Sequence, residues 1–190
     1  MKRNPLVLGS SSKIRSEIIS KYNYPYITTN HKINEEEEKL LFDDPIKLNL
    51  HLATQKSLSL SNDFKDHIIL GCDQICLLDR EVFSKPNTVT NAINNLKKLS
   101  GKTHQLVGSY VFSQNSSVLF SETVIVNMEM RILTKDEIID YVNLDNPLKS
   151  CGSYMFEKNG YKLFSMVDGS IEDINGLPFG NLLIKLKEYV

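Results

Sequence analysis

The chain has 190 residues, 41% hydrophobic and 24% charged, and its 22 Lys and Arg against 23 Asp and Glu leave a net charge of −1. That length suits one domain with a substantial core, so residues 1–190 read as a single domain. The charge balance gives no general reason to expect nucleic-acid or membrane-surface binding. No apolar run is long enough for a signal-peptide core or a membrane span, which makes the cytoplasm the expected location.

Residues 5–8 are a short apolar run, the first predicted strand. Gly9, Ser10, Ser11 and Ser12 follow, and then Ile14, Ile18 and Ile19 fall at helical spacing. A strand running through a Gly/Ser loop into a helix presents backbone N–H groups, and the helix dipole favours an anion there. Serine hydroxyls add donors, and the Arg15 guanidinium suits phosphate oxygens. The GxxxxGK[ST] pattern of a P-loop is missing. Capping of the helix by Ser11 or Ser12 is an equal alternative. Residues 24–28 read as a second strand. The run Glu35 to Glu38 reads mostly as a solvated face. Asp43-Asp44-Pro45 starts a helix that extends to about Leu60 and carries Lys56, a type of residue most often found as a surface charge.

Residues 67–79 form an Ile- and Leu-rich run that reads as a buried strand ending in a turn at Asp79-Arg80. Asp73 and Gln74 sit in its middle. A buried carboxylate is strongly destabilising unless it is paired, hydrogen-bonded or bound to a metal, so a buried Asp73 demands a partner. The alternative is that Asp73 faces solvent, or marks a bulge with Gly71. Residues 81–86 return as a hairpin, with Lys85 where the strand ends. Thr88 caps a helix with Val89, Ala92, Ile93, Leu96 and Leu99 on one face. Residues 104–112 and 118–131 alternate as two long strands joined by a polar turn. Thr134 and Glu137 fit a capping box, residues 161–167 read as a strand, and Pro178 opens a last helix. The three cysteines, Cys72, Cys76 and Cys151, have no metal-site spacing and read as small apolar fillers. The four histidines are scattered with no supporting motif. Together these elements predict an α/β fold, a mixed sheet flanked by helices, with the strand order open.

In this order and spacing the segments resemble the Maf family of nucleoside triphosphate pyrophosphatases over nearly the whole chain. The residues that carry the likeness begin with Gly9-Ser10-Ser11-Ser12-Lys13-Ile14-Arg15, Ile33-Asn34-Glu35 and Gln55-Lys56-Ser57. They continue with Gly71-Cys72-Asp73, Lys85-Pro86 and the intact run LSGKTHQ from Leu99 to Gln105. Cys151-Gly152-Ser153-Tyr154 and Gly176-Leu177-Pro178 complete the set. Gln74, Cys76, Glu157 and Leu163-Phe164 look like the branch that hydrolyses 7-methyl-GTP; the dTTP/UTP branch carries Thr after the central Asp and Gln at the position of Glu157. The chain departs from the pattern at Lys13 (usually Pro), at Ile14 (an aromatic in the 7-methyl-GTP branch, suited to stacking on a cationic base) and at Asn34 (usually acidic).

The resemblance implies an elongated mixed sheet with two lobes around a central cleft, in the manner of inosine triphosphatases. It implies hydrolysis of the α–β phosphate bond of a modified nucleotide, most directly 7-methyl-GTP, by positioning and charge neutralisation. Asp73 is then the proton acceptor, and Glu35 and Asp73 hold a divalent cation, Mg²⁺ or Mn²⁺, which becomes the partner that a buried Asp73 requires. Ser10, Ser12, Arg15, Lys56 and Lys85 bind phosphate, and Ile14, Gln74 and Glu157 select the base. The alternatives are the dTTP/UTP branch and a nucleotide-binding regulator of septum formation. The expected partner is the triphosphate substrate, with a homodimer expected only because dimers are the commonest oligomers.

Overall fold

The computed structural model describes residues 5–189, so the basic start at Lys2-Arg3 lies outside the described residues. In chain order the elements are β1 (Leu6–Gly9), α1 (Lys13–Ser20), β2 (Tyr26–Thr29), α2 (Glu35–Glu38), α3 (Pro45–Leu58), β3 (Ile69–Leu78) and β4 (Glu81–Val82). Then come α4 (Val89–Leu99), β5 (Thr103–Gln114), β6 (Ser117–Met130), α5 (Lys135–Asp145), β7 (Phe164–Asp168), α6 (Ile171–Ile174) and α7 (Phe179–Leu186). The strands form one mixed seven-stranded sheet in the order β2-β1-β3-β5-β6-β7, with β4 paired to β3. β1 runs parallel to β2 and β3, whereas β4 is antiparallel to β3 and β7 to β6. This is the mixed α/β sheet that the sequence predicts.

The chain divides into two compact units. The first takes in the chain up to Asp73, Gly108–Val124 and the segment from Asn175; the second is Gln74–Val107 with Ile125–Ile174. In the first unit, side chains alternate across the strands. Leu6, Leu8, Leu70 and Cys72 pack with Ile18 and Ile19 of α1, Tyr110 and Phe112 of β5, and Phe179, Leu182 and Leu186 of α7. Val7 and Ile69 pack on the opposite face with Leu60 and Phe64. Both faces are covered, which is why β1 and the start of β3 read as unbroken apolar runs. α3 begins as predicted, with Pro45 in its first turn and the Asp44 carboxylate accepting from Ile46 N and Lys47 N. It crosses β3 at Gly71, where an added Cβ would lie 2.2 Å from the Ala53 carbonyl oxygen and 2.6 Å from Ser57 N. At this crossing the Ser57 hydroxyl donates to the Ile69 carbonyl at 3.0 Å and lies 2.6 Å from Ser113 Oγ.

In the second unit the predicted caps are present. Thr88 Oγ1 accepts from Asn91 N to start α4, and Thr134 and Glu137 form the capping box of α5. Asn146, in the left-handed conformation, ends α5. The strand predicted over residues 161–167 starts later. Gly160–Leu163 is a 3-10 turn, and β7 begins at Phe164. The turn is fixed from outside: Gly160 N donates to the Met155 carbonyl and Arg131 N to the Leu163 carbonyl. α6 is too short to show a period in the sequence; it is started by Ser170, whose N–H and hydroxyl both donate to Asp173 Oδ2. His104 is buried with Nε2 2.9 Å from the Tyr154 hydroxyl, and burial lowers its pKa to about 4. Cys72, Cys76 and Cys151 are in the thiol form rather than in disulfides, and Cys72 and Cys76 are buried.

Candidate functional site

The two-residue period of β3 decides where Asp73 points. Ile69 and Gly71 face α3, so Asp73 does too, while Leu70 and Cys72 face the layer of α1 and α7. α3 meets the carboxylate with two donors, seven residues and two turns apart on one helical face. Lys56 Nζ donates to Asp73 Oδ1 and Asn49 Nδ2 donates to Asp73 Oδ2, each at 2.6 Å. Asp73 is 8% exposed and Lys56 6%. The alternative that Asp73 faces solvent is therefore not realised. The resemblance implies a divalent cation as its partner; in the structure the Lys56 ammonium and the Asn49 amide also pair with it, so burial alone does not require a metal here. Lys56 is likewise no surface charge.

Lys56 Nζ also lies 3.0 Å from Glu35 Oε1, and the ammonium thus bridges two carboxylates. α2 places Glu35 there. Asn34, where the family pattern has an acid, caps this single turn by accepting from Glu36 N. Glu36 and Glu37 are exposed, as a solvated face should be, but Glu35 and Glu38 are half-buried one turn apart. Glu38 pairs with His51 at 2.5 Å, and His31 Nε2 lies 3.2 Å from Glu35 Oε1. Burial, then the charge of Lys56, lower the pKa of His31 against the opposing pull of Glu35.

The Gly/Ser loop forms a second cluster in the same unit. Arg15 Nε donates to the Gly176 carbonyl at 2.9 Å, and Nη1 donates to Ser10 Oγ at 3.2 Å and to the Cys72 carbonyl at 3.3 Å. Gly176 holds a φ of 79°, a conformation that favours glycine. The Cys72 carbonyl adjoins Asp73 in the chain, so the guanidinium is moored beside the carboxylate strand. Ser12 occupies the N-cap position of α1 but makes no side-chain capping bond; Ser10 Oγ instead accepts from Ser12 N at 3.2 Å. The first turn of α1 holds no acidic residue, which leaves its positive end uncancelled. Ile14 packs half-buried against the apolar layer of α1 and α7.

Gln74, Lys85 and Glu157 belong to the second unit. Gln74 Nε2 donates to the carbonyls of Asp173 and Ile174 at 3.1 and 3.2 Å. Lys85 is exposed just beyond β4, and the Asn87 side chain donates to its carbonyl. Glu157 is exposed and adds its charge to the burial that raises the Tyr141 pKa.

Among the described residues no three His, Cys, Asp or Glu side chains gather as a metal cage. Glu35 and Asp73 are instead a pair of hard oxygen donors drawn together by one ammonium. Mg²⁺ commonly takes one or two carboxylates and fills its remaining positions with substrate phosphates and water, so this donor set fits such an ion. Asn49, which sequence reasoning missed, lies in the same cluster. Its only signal in the sequence is the seven-residue spacing to Lys56.

The sequence matches the family described as Maf-like protein over residues 5–189. It is 33% identical over 192 residues to the nucleoside triphosphate pyrophosphatase of Legionella pneumophila (strain Lens), covering 98% of this chain and 96% of that protein. It is 33% identical over 180 residues to the 7-methyl-GTP pyrophosphatase of Bdellovibrio bacteriovorus, covering 94% and 93%. Among solved structures, the Staphylococcus aureus Ham1 protein aligns over 97% of this chain and 98% of its own at 17% identity, with a TM-score of 0.48.

Proposed function

The chain belongs to the Maf family, and from that premise we propose that it is a nucleoside triphosphate pyrophosphatase, with 7-methyl-GTP as its preferred substrate. The hydrolysis adds water at the α-phosphorus, breaks the bond to the β-phosphate, and yields the nucleoside monophosphate and pyrophosphate. The observation that carries this reading is the Lys56 ammonium shared by Asp73 and Glu35, beside the Arg15–Ser10 loop. It supports the reading because a carboxylate able to accept the water's proton shares one unit with cationic and hydroxyl groups suited to phosphate oxygens.

In this reading Asp73 takes the proton of the attacking water. Arg15 and Lys56 neutralise phosphate charge, joined by Lys85 and the hydroxyls of Ser10 and Ser12. Glu35 and Asp73 hold Mg²⁺ or Mn²⁺, which when bound would offset the phosphate charge. Gln74 and Glu157 read the base: one carboxylate can accept from both the N1–H and the exocyclic amine of a guanine, which a single amide oxygen does less well. Relatives named 7-methyl-GTP pyrophosphatase support the preference.

A second reading, the dTTP/UTP branch or a relaxed preference, is favoured by Ile14, which offers no aromatic face to a methylated purine. Pyrophosphate release from 7-methyl-GTP, GTP, UTP and dTTP in Mg²⁺ or Mn²⁺ decides between the two. Fastest turnover of 7-methyl-GTP is expected. Binding of triphosphates with no hydrolysis in either metal would reduce the protein to a nucleotide-binding regulator.

A further inference from the structure

Asn49 is in direct contact with Asp73, yet the reading above gives it no role. It is fully buried, with 0% of its surface exposed. Its Nδ2 donates to Asp73 Oδ2 at 2.6 Å, while its Oδ1, also buried, has no hydrogen-bond partner among the described residues. The reverse amide orientation would set Oδ1 against an anionic oxygen, so the network fixes which atom faces the carboxylate. A buried carbonyl left unpaired is destabilising, and an apolar side chain of the same size would avoid that. The position thus keeps a polar group whose bond goes to Asp73.

Lys56 grips the other carboxylate oxygen from the same helix. Two donors on one rigid element pin both ends of the carboxylate and leave each oxygen a further lone pair for water or an ion. Charge points the same way. Two carboxylates and one ammonium leave Glu35, Asp73 and Lys56 with a net negative charge. A neutral donor holds Asp73 without cancelling that charge, whereas a second cation would cancel it.

We propose that Asn49 is a positioning residue that sets the orientation of the Asp73 carboxylate for proton transfer, an inference that rests on the pyrophosphatase reading. Asn49→Leu keeps the heavy-atom count and the branch point and removes the donor. Its kcat for triphosphate hydrolysis should fall about ten- to a hundredfold, as for a displaced reacting group, with KM within about twofold. Its melting temperature should not drop. In an Asp73→Asn background the same change should add no further loss, because the carboxylate it acts through is gone. A kcat within about twofold of the unmodified protein, or an equal fractional loss in both backgrounds, overturns the proposal. Asn49→Ala, which removes the donor without adding bulk or charge, repeats the test should the leucine variant fail to fold. Loss of the fold in both makes Asn49 structural and also overturns it. Failure of the underlying reading is separate: the unmodified protein would release no pyrophosphate from any triphosphate. Carboxylate orientation is then read directly from crystal structures of the unmodified protein and Asn49→Leu, and an unchanged Asp73 side chain refutes the proposal.

Discussion

In the proposed reading Asp73 carries two tasks, pairing with Lys56 and accepting a proton, and a single substitution separates them. Asp73→Asn keeps the shape of the side chain and an oxygen for Lys56, so the fold should survive. Pyrophosphate release should fall about a hundred- to ten-thousandfold, and a circular-dichroism melt beside the assay checks both outcomes. Glu157→Gln should leave catalysis running but move preference away from guanine-type bases, read as a changed ratio of kcat/KM between 7-methyl-GTP and UTP. His104 makes its contribution through burial. The unfolded chain takes up a proton near the ordinary histidine value of 6.5, whereas burial in the folded chain holds His104 neutral down to about 4. Stability should therefore drop as pH falls through that window, by about 3 kcal/mol from this group, and its contribution should level off below it. Urea unfolding of the unmodified protein against His104→Gln measures the difference, and the variant should show the shallower fall.

At the scale of elements, the approach of α3 to β3 positions the acidic cluster. Gly71→Ala would drive a methyl into the Ala53 carbonyl and Ser57 N, both backbone atoms that cannot rotate aside. The helix must shift, carrying Asn49 and Lys56 away from Asp73. We expect a loss of about 1–3 kcal/mol, as for overpacking elsewhere, seen as a lower melting temperature, together with reduced turnover in the protein that remains folded. The crossing also explains what the sequence discloses and what it hides. Caps at Asp44, Thr88 and Thr134 are bonds between near neighbours, so residue type and spacing reveal them. The long hairpin of β5 and β6 shows in its alternation, and Asn115 and Ser116 at its tip both take positive φ. Pairing of Asp73 with Lys56 and Asn49 depends instead on a helix crossing a strand, which local periodicity does not encode. The late start of β7 has a similar origin, since Gly160–Leu163 is held by bonds from Met155 and Arg131. Family resemblance reached Lys56 and Asp73 by their motifs but contained nothing that singled out Asn49.

For the molecule as a whole, the ion and the fold should be separable. Because Lys56 already balances Asp73, the native state has no need of a metal to tolerate that carboxylate. EDTA should therefore abolish pyrophosphate release while leaving the chain folded, its melting temperature lowered only by the binding free energy of the lost ion, and added Mg²⁺ or Mn²⁺ should restore the activity.

The inner stripe of α3 consists of Asn49, Leu52, Ala53, Lys56 and Ser57, an unusually polar set for a helix face turned away from water. An engineer seeking heat resistance would be drawn to these positions, but leucine or methionine at Lys56 alone would strand the Asp73 carboxylate, and at Ser57 the Ser113 hydroxyl, so a gain requires replacing the partners together. In the proposed reading, a protein repacked in that way would gain stability and lose its pyrophosphatase activity. Thermostability screens on this scaffold should freeze that stripe and look for their gains elsewhere.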